Sequence, residues 1–136
     1  MTLALLANID VDDLGKATDF YCGALGLQVG RRLGVSIVEL VGASSAIYLI
    51  EKPAGSVASS FSSAQRDYAR HWTPVHLDFV VPDIQPAVAR AEAAGARLEG
   101  DVRTHTWGHL AIMSDPFGHG FCLIEFLGRG YDEIAS

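Results

Sequence analysis

Five histidines, two cysteines and several aspartates are the side chains of this 136-residue chain whose types bear most directly on chemistry. The most suggestive spacing is His76-Leu77-Asp78. On a strand, residues two apart share a face, so an imidazole and a carboxylate would lie side by side. Such a pair is the minimum for proton transfer, which makes His76 and Asp78 the candidates for any catalytic role. The competing reading is a pocket histidine held in place by its neighbour, and an imidazole near neutral pKa suits either. No nucleophile with an adjacent base and orienting group is visible. Cys22 and Cys122 fall inside an apparent helix and an apparent strand, with neither the count nor the spacing of a disulfide framework, and read as buried thiols of a reducing cytoplasm. His71 beside Trp72, His105 and His109 flanking Trp107, and His119 in a turn are expected at the surface or in local hydrogen bonds.

The elements that must position these groups follow from hydrophobic spacing. Leu3 to Val11 ends in alternation, with Ala7, Ile9 and Val11 on one face and Leu6, Asn8 and Asp10 on the other, and predicts a strand. Asp12 or Asp13 can accept bonds from the free N–H groups of a helix whose apolar positions Leu14, Ala17, Phe20, Tyr21 and Leu25 keep helical spacing, and Gly26 supplies the stop. Short β-rich runs from Gln28 to Glu51 predict three antiparallel strands. Residues 53–72 form a Ser-, Ala- and Gly-rich connector, with a short helical turn expected over Phe61 to Tyr68. The order then recurs: a strand over Val75 to Val81, a helix from Ile84 to Ala94 stopped by Gly95, and strands near Ala96 to Arg103, Trp107 to Ser114 and Gly120 to Leu127.

The residues repeat as well as the pattern. Asn8 to Leu14 lies over Asp78 to Ile84, and Ile47 to Glu51 over Phe121 to Glu125. The expectation is one α+β domain over residues 1–136, built of βαβββ modules at 1–52 and 73–127 with a tail at 128–136, whose curved mixed sheets enclose a central pocket. A hydrophobic fraction of 49% is enough for a core, and a net charge of −6 offers no basic stripe to a nucleic acid or an anionic membrane. The apolar N-terminus lacks a basic leader and runs straight into aspartates, and no window nears the roughly 18 apolar residues of a membrane span, so a cytoplasmic protein is expected.

Three segments carry a family resemblance: Val11-Asp12-Asp13-Leu14 with Phe20-Tyr21 and Leu25-Gly26-Leu27; His76 to Ile84; and Asp115-Pro116-Phe117-Gly118-His119-Gly120-Phe121-Cys122-Leu123. Spanning nearly the whole chain, they resemble the vicinal oxygen chelate superfamily of glyoxalase I, extradiol dioxygenases, fosfomycin-modifying enzymes and bleomycin resistance proteins. The Asp-Pro-x-Gly turn is the most specific of the three, with Pro116 presetting one dihedral and Gly118 free to take a positive one. The resemblance implies four inward positions that carry His and Glu in the metalloenzymes, and here they hold Leu6, Tyr48, His76 and Cys122. A divalent ion needs three or more donors, so the family's metal centre is expected to be absent and no cofactor is assigned. Glu51 and Glu125 stand three residues past the inward positions, so only a bulge would turn one inward.

What this implies is a protein that binds a small, partly apolar molecule through Asn8, Tyr48, His76, Asp78, Trp107, His109 and Cys122, with the strand face of Trp107 and His109 left open. The alternative is a metal-dependent lyase or dioxygenase with an altered ligand set, for instance His76, Cys122 and a bulged glutamate. A homodimer is the expected assembly by resemblance and by general frequency. The tail from Phe126 to Tyr131 can cover a partner, cover the pocket or pack on its own sheet.

Overall fold

Alternation along the strands divides each half of the chain into an apolar face that takes a helix and a polar face that does not. The computed structural model describes residues 2–136, which divide into two compact units, one ending at Ala69 and one beginning at Arg70. The first holds β1 (Ala7–Val11), α1 (Leu14–Leu25), β2 (Gln28–Leu33), β3 (Ile37–Val41) and β4 (Ile47–Glu51), in the sheet order β1-β4-β3-β2 with β1 parallel to β4. Val11, Val38, Leu40, Ile47 and Leu49 are buried on one face, and Leu14, Ala17, Phe20, Tyr21 and Ala24 of α1 are buried with them. Asp13 caps α1, its carboxylate accepting from the Lys16 N–H at 3.0 Å, and Gly26 ends the helix at φ 69°. The first strand begins at Ala7 and not at Leu3, because β4 starts only at Ile47 and leaves residues 3–6 without a ladder partner.

The second unit repeats the plan with β5 (Leu77–Val80), α2 (Ile84–Ala94), β6 (Arg97–Leu98), β7 (Arg103–His105), β8 (Gly108–Ser114) and β9 (Gly120–Phe126). Its sheet runs β5-β9-β8-β6, with β5 parallel to β9 and β7 pairing β8. The single strand expected over 96–103 is two short ones, because the chain turns at Gly100, φ 77°, before rejoining β8. A 3-10 turn at Gly130–Glu133 brings Tyr131 against Trp107 and Phe126, at 5.2 and 4.8 Å between ring centroids, so the tail packs on its own unit.

The helical turn expected over Phe61 to Tyr68 is absent. That segment folds back through a single antiparallel bridge between Val57 and Gln65, and Arg66 organises it. The Arg66 guanidinium reaches the Asp10 carboxylate at 2.7 Å, the Ser56 hydroxyl at 3.2 Å and the Val57 carbonyl at 2.6 Å, satisfying loop groups that a helix would have satisfied internally. Among the described residues no helix is long and apolar enough to cross a membrane.

Glu51 and Glu125 act alike in the two units. Each lies at or next to the end of the last strand of its unit and accepts the first N–H of the neighbouring helix, Leu14 at 3.1 Å and Ile84 at 2.8 Å. Both carboxylates therefore lie on the helix side of their sheets, and neither strand bulges to turn them away. At α2 this contact has a special weight, since Asp83 makes no side-chain capping bond there. Glu125→Ala is expected to destabilise the fold by about 1 kcal/mol, the worth of a helix cap, as measured by urea unfolding. An unchanged midpoint would show that the contact contributes nothing.

Candidate functional site

On the face of the second sheet opposite α2, strand pairing sets Asp78 of β5 directly beside Cys122 of β9, with Ile112 of β8 next in the row. His76, two residues before Asp78, lies on the same side, and its Nε2 is 3.2 Å from the Asp78 carboxylate. The nitrogen, oxygen and sulfur of His76, Asp78 and Cys122 all lie within 4.8 Å of one another. His76 and Asp78 are partly exposed, with side chains 31% and 39% accessible, whereas Cys122 is buried. Burial pushes the Cys122 thiol up to about 12, and the charge and hydrogen bonding of Asp78 push the same way. The thiol is thus a protonated donor to Asp78 at neutral pH and no nucleophile.

The equivalent row of the first sheet is Asn8, Tyr48 and Glu39. Here the side chains close on one another. The Tyr48 hydroxyl donates to Glu39 Oε2 at 2.9 Å, and Arg31 clasps the same carboxylate through Nε at 3.0 Å, Nη2 at 2.6 Å and its backbone N–H at 3.0 Å. The β2–β3 register shifts between Val29 and Arg32, and a Cβ at Gly30 would stand 2.7 Å from Glu39 Oε1, so bulge and glycine together make the seat. The bonds from Arg31 and Tyr48 hold the Glu39 carboxyl down at about 2, against the opposing effect of its burial. Glu39 is absent from the residues that sequence reasoning singles out. The signal for it was a lone acid inside the apolar run Ile37-Val38-Glu39-Leu40-Val41, on the face of Tyr48.

His109 pairs with Glu125 and so shares the helix face of the sheet, away from Cys122; its Nδ1 is 2.9 Å from the Thr104 hydroxyl. Trp107 precedes β8 in a turn, stacked on His105 at 4.8 Å and packed on Tyr131. The structure therefore brings His76, Asp78 and Cys122 together, sets Asn8 and Tyr48 in the other unit's row, and within the second unit separates Trp107 and His109 from the His76 group.

Of the four positions where the resemblance implies metal ligands, Leu6 offers no donor and the Tyr48 hydroxyl is committed to Glu39. The glutamates invoked as replacements are held at helix ends. Asp78 instead stands with His76 and Cys122, a nitrogen, oxygen and sulfur set that matches in number the three protein ligands of a catalytic zinc site. The donor types fit a borderline divalent ion, provided the Cys122 proton leaves.

A family profile described as Glyoxalase-like domain matches residues 7–124. No curated protein matches the chain. Among solved structures it is similar to a glyoxalase/bleomycin resistance protein/dioxygenase family enzyme from Burkholderia phytofirmans PsJN, at 21% identity and a TM-score of 0.71 over 90% of this chain and 97% of that one. It is similar also to TnmS3, an antibiotic binding protein from Streptomyces sp. CB03234, at 24% identity and a TM-score of 0.65 over 93% and 98%. The fosfomycin resistance protein FosX from Listeria monocytogenes is 19% identical, with a TM-score of 0.69 over 93% and 95%.

Two outcomes are expected from these geometries. Cys122 should react with iodoacetamide at mildly alkaline pH far more slowly in the native than in the unfolded protein, and Asp78→Asn should speed the native reaction by removing the adjacent negative charge; equal rates in both proteins would separate Asp78 from the thiol. The second outcome concerns Glu39, whose folded pKa lies below its ordinary 4.5. Its ionised form therefore stabilises the fold above about pH 4.5, and that contribution fades as the pH falls towards 2. The gap in urea midpoint between the protein and Glu39→Gln should be full at neutral pH and close in acid, and a gap independent of pH would remove the charge from the account.

Proposed function

This chain belongs to the glyoxalase-like domain family of the vicinal oxygen chelate superfamily, and we propose that it binds a small, partly apolar molecule without that superfamily's usual metal centre. The observation that carries this reading is the His76–Asp78–Cys122 set on the open face of the second sheet. A partly exposed imidazole and carboxylate beside a buried neutral thiol and the apolar Ile112, Ile124 and Val80 give a few directional bonds on an apolar floor, the composition of small-ligand sites. Antibiotic binding by TnmS3 and fosfomycin resistance by FosX supply the precedent of small molecules in this fold. Loss of donors at Leu6 and Tyr48 argues in the same direction.

In this reading His76 and Asp78 orient the ligand. His76 presents its ring, Asp78 accepts from a ligand N–H or O–H, and Cys122 supplies soft contact surface. A second reading is favoured by one observation, the convergence of three metal-type donors. His76, Asp78 and Cys122 would then hold a divalent ion, which when bound would supply Lewis acidity for lyase or dioxygenase chemistry.

The deciding experiment is a melting-shift and NMR screen with a panel of small aromatic and saturated amines and alcohols, on the protein and on His76→Ala, together with metal analysis of the purified protein. His76→Ala is expected to weaken binding about tenfold, the worth of one hydrogen bond of roughly 1.4 kcal/mol, while leaving the melting temperature nearly unchanged. A variant that melts early but binds as before would make His76 structural. Stoichiometric Zn, Ni, Fe or Mn lost on Cys122→Ala would establish the second reading in place of the first.

A further inference from the structure

Residues 70–72 form a clasp on the Asp115–Gly120 turn. The His71 N–H donates to the Gly118 carbonyl at 2.8 Å, Arg70 Nη1 reaches the same carbonyl at 3.3 Å, and the rings of His71 and His119 share a hydrogen bond at 3.0 Å, one donating and one accepting. Arg70 also pairs with Glu99, Nη2 to Oε1 at 2.6 Å, so its charge is balanced.

This clasp delivers the Trp72 indole to the ligand face. A Cβ at Gly120 would stand 1.9 Å from Trp72 Cε3 and 2.2 Å from Cζ3, so the indole occupies the space that any side chain at 120 would need. Gly120 lies on β9 two residues before Cys122 and thus on the same face. The Trp72 ring is 4.7 Å from that of His76, tilted by 40°, and the Arg70 guanidinium lies 5.5 Å from its centroid. Despite this anchoring Trp72 remains 44% exposed.

An indole is usually ordered by burying it, because burial is what offsets the lost rotamer freedom. Here the order comes from polar contacts of its neighbours, and a large aromatic surface is left in water next to an imidazole and a carboxylate. Those three groups have complementary preferences. The ring faces attract flat π systems and cations, and Asp78 accepts from N–H donors. The net charge of −6 favours cationic over anionic ligands.

We propose that Trp72, seated on Gly120, is the specificity-determining wall of the ligand site, and that it selects planar aromatic cations whose ring nitrogen or amino group reaches Asp78. The inference rests on the ligand-binding reading of His76, Asp78 and Cys122.

The test compares two amine cations, the flat tricycle proflavine and the cage-shaped 1-adamantylamine, by isothermal titration against the protein, Trp72→Leu, Trp72→Phe, Gly120→Ala and His76→Ala. Proflavine is expected to bind at least about tenfold more tightly than 1-adamantylamine, in line with the worth of an aromatic stack. Trp72→Leu and Gly120→Ala should each remove that preference, and Trp72→Phe should restore most of it. Because Trp72→Phe keeps a ring where Trp72→Leu does not, a general loss of structure would affect both and is distinguishable. Proflavine binding unchanged in Trp72→Leu, with both cations still weakened on His76→Ala, would overturn the role of Trp72 and leave the ligand site standing. Failure of both cations to bind the unaltered protein would overturn this inference; the wider screen decides the reading beneath it.

Discussion

Parallel pairing between the first and last strands of each unit is the constraint on which both polar faces depend. It sets Asp78 beside Cys122 and Asn8 beside Tyr48, residues far apart in the chain, and the period-two geometry of the strands then carries every second neighbour to the same side. The apolar set falls opposite, where each sheet takes its helix. A slip of one residue would exchange the faces, burying Asp78 and exposing Phe79 and Leu123, so the hydrophobic pattern itself guards the register. Glu51 and Glu125 reinforce it, because each joins the end of the last strand to the first turn of the helix.

Within that common frame the two units have diverged in what their open faces do. In the first, Glu39 is saturated by Arg31 and Tyr48, a charge held by a bulge, a glycine and four donors, which commits the Glu39 carboxylate and the Tyr48 hydroxyl to each other. In the second, the position of Glu39 is taken by Ile112, and His76, Asp78 and Cys122 stand together, with the His76 ring against the indole above Gly120. A fully satisfied network gives rigidity. The chain therefore presents one face locked at Glu39 and one face whose imidazole and carboxylate stay partly exposed, built on the same template.

Much of this was legible in the sequence, for physical reasons that can be named. The period-two runs through Ala7, Ile9 and Val11 and through Ile47 and Leu49, the helical spacing from Leu14 to Leu25, and the glycine stops at Gly26 and Gly95 are local, and local geometry reads directly. The proximity of His76 and Asp78 is local too. So is the outward placement of Glu51 and Glu125, which follows from counting three residues along an unbulged strand.

Tertiary structure alone decided the rest. Whether His109 joins Cys122 depends on where β8 begins, and Gly108, whose absent side chain admits the Glu125 carbonyl, settles it on the helix face. The segment after Pro53 has helix-permitting composition, yet Arg66 binds Asp10 from the far end of the unit and folds it into a strap. Glu39 emerged only when a bulge and a glycine placed it, and Trp72, whose aromatic ring offers stacking surface on its type alone, is set beside His76 by its seat on Gly120, because both owe their positions to contacts between residues distant in the chain. Periodicity along a chain reports which face a residue occupies; only the packed structure reports what waits on that face to meet it.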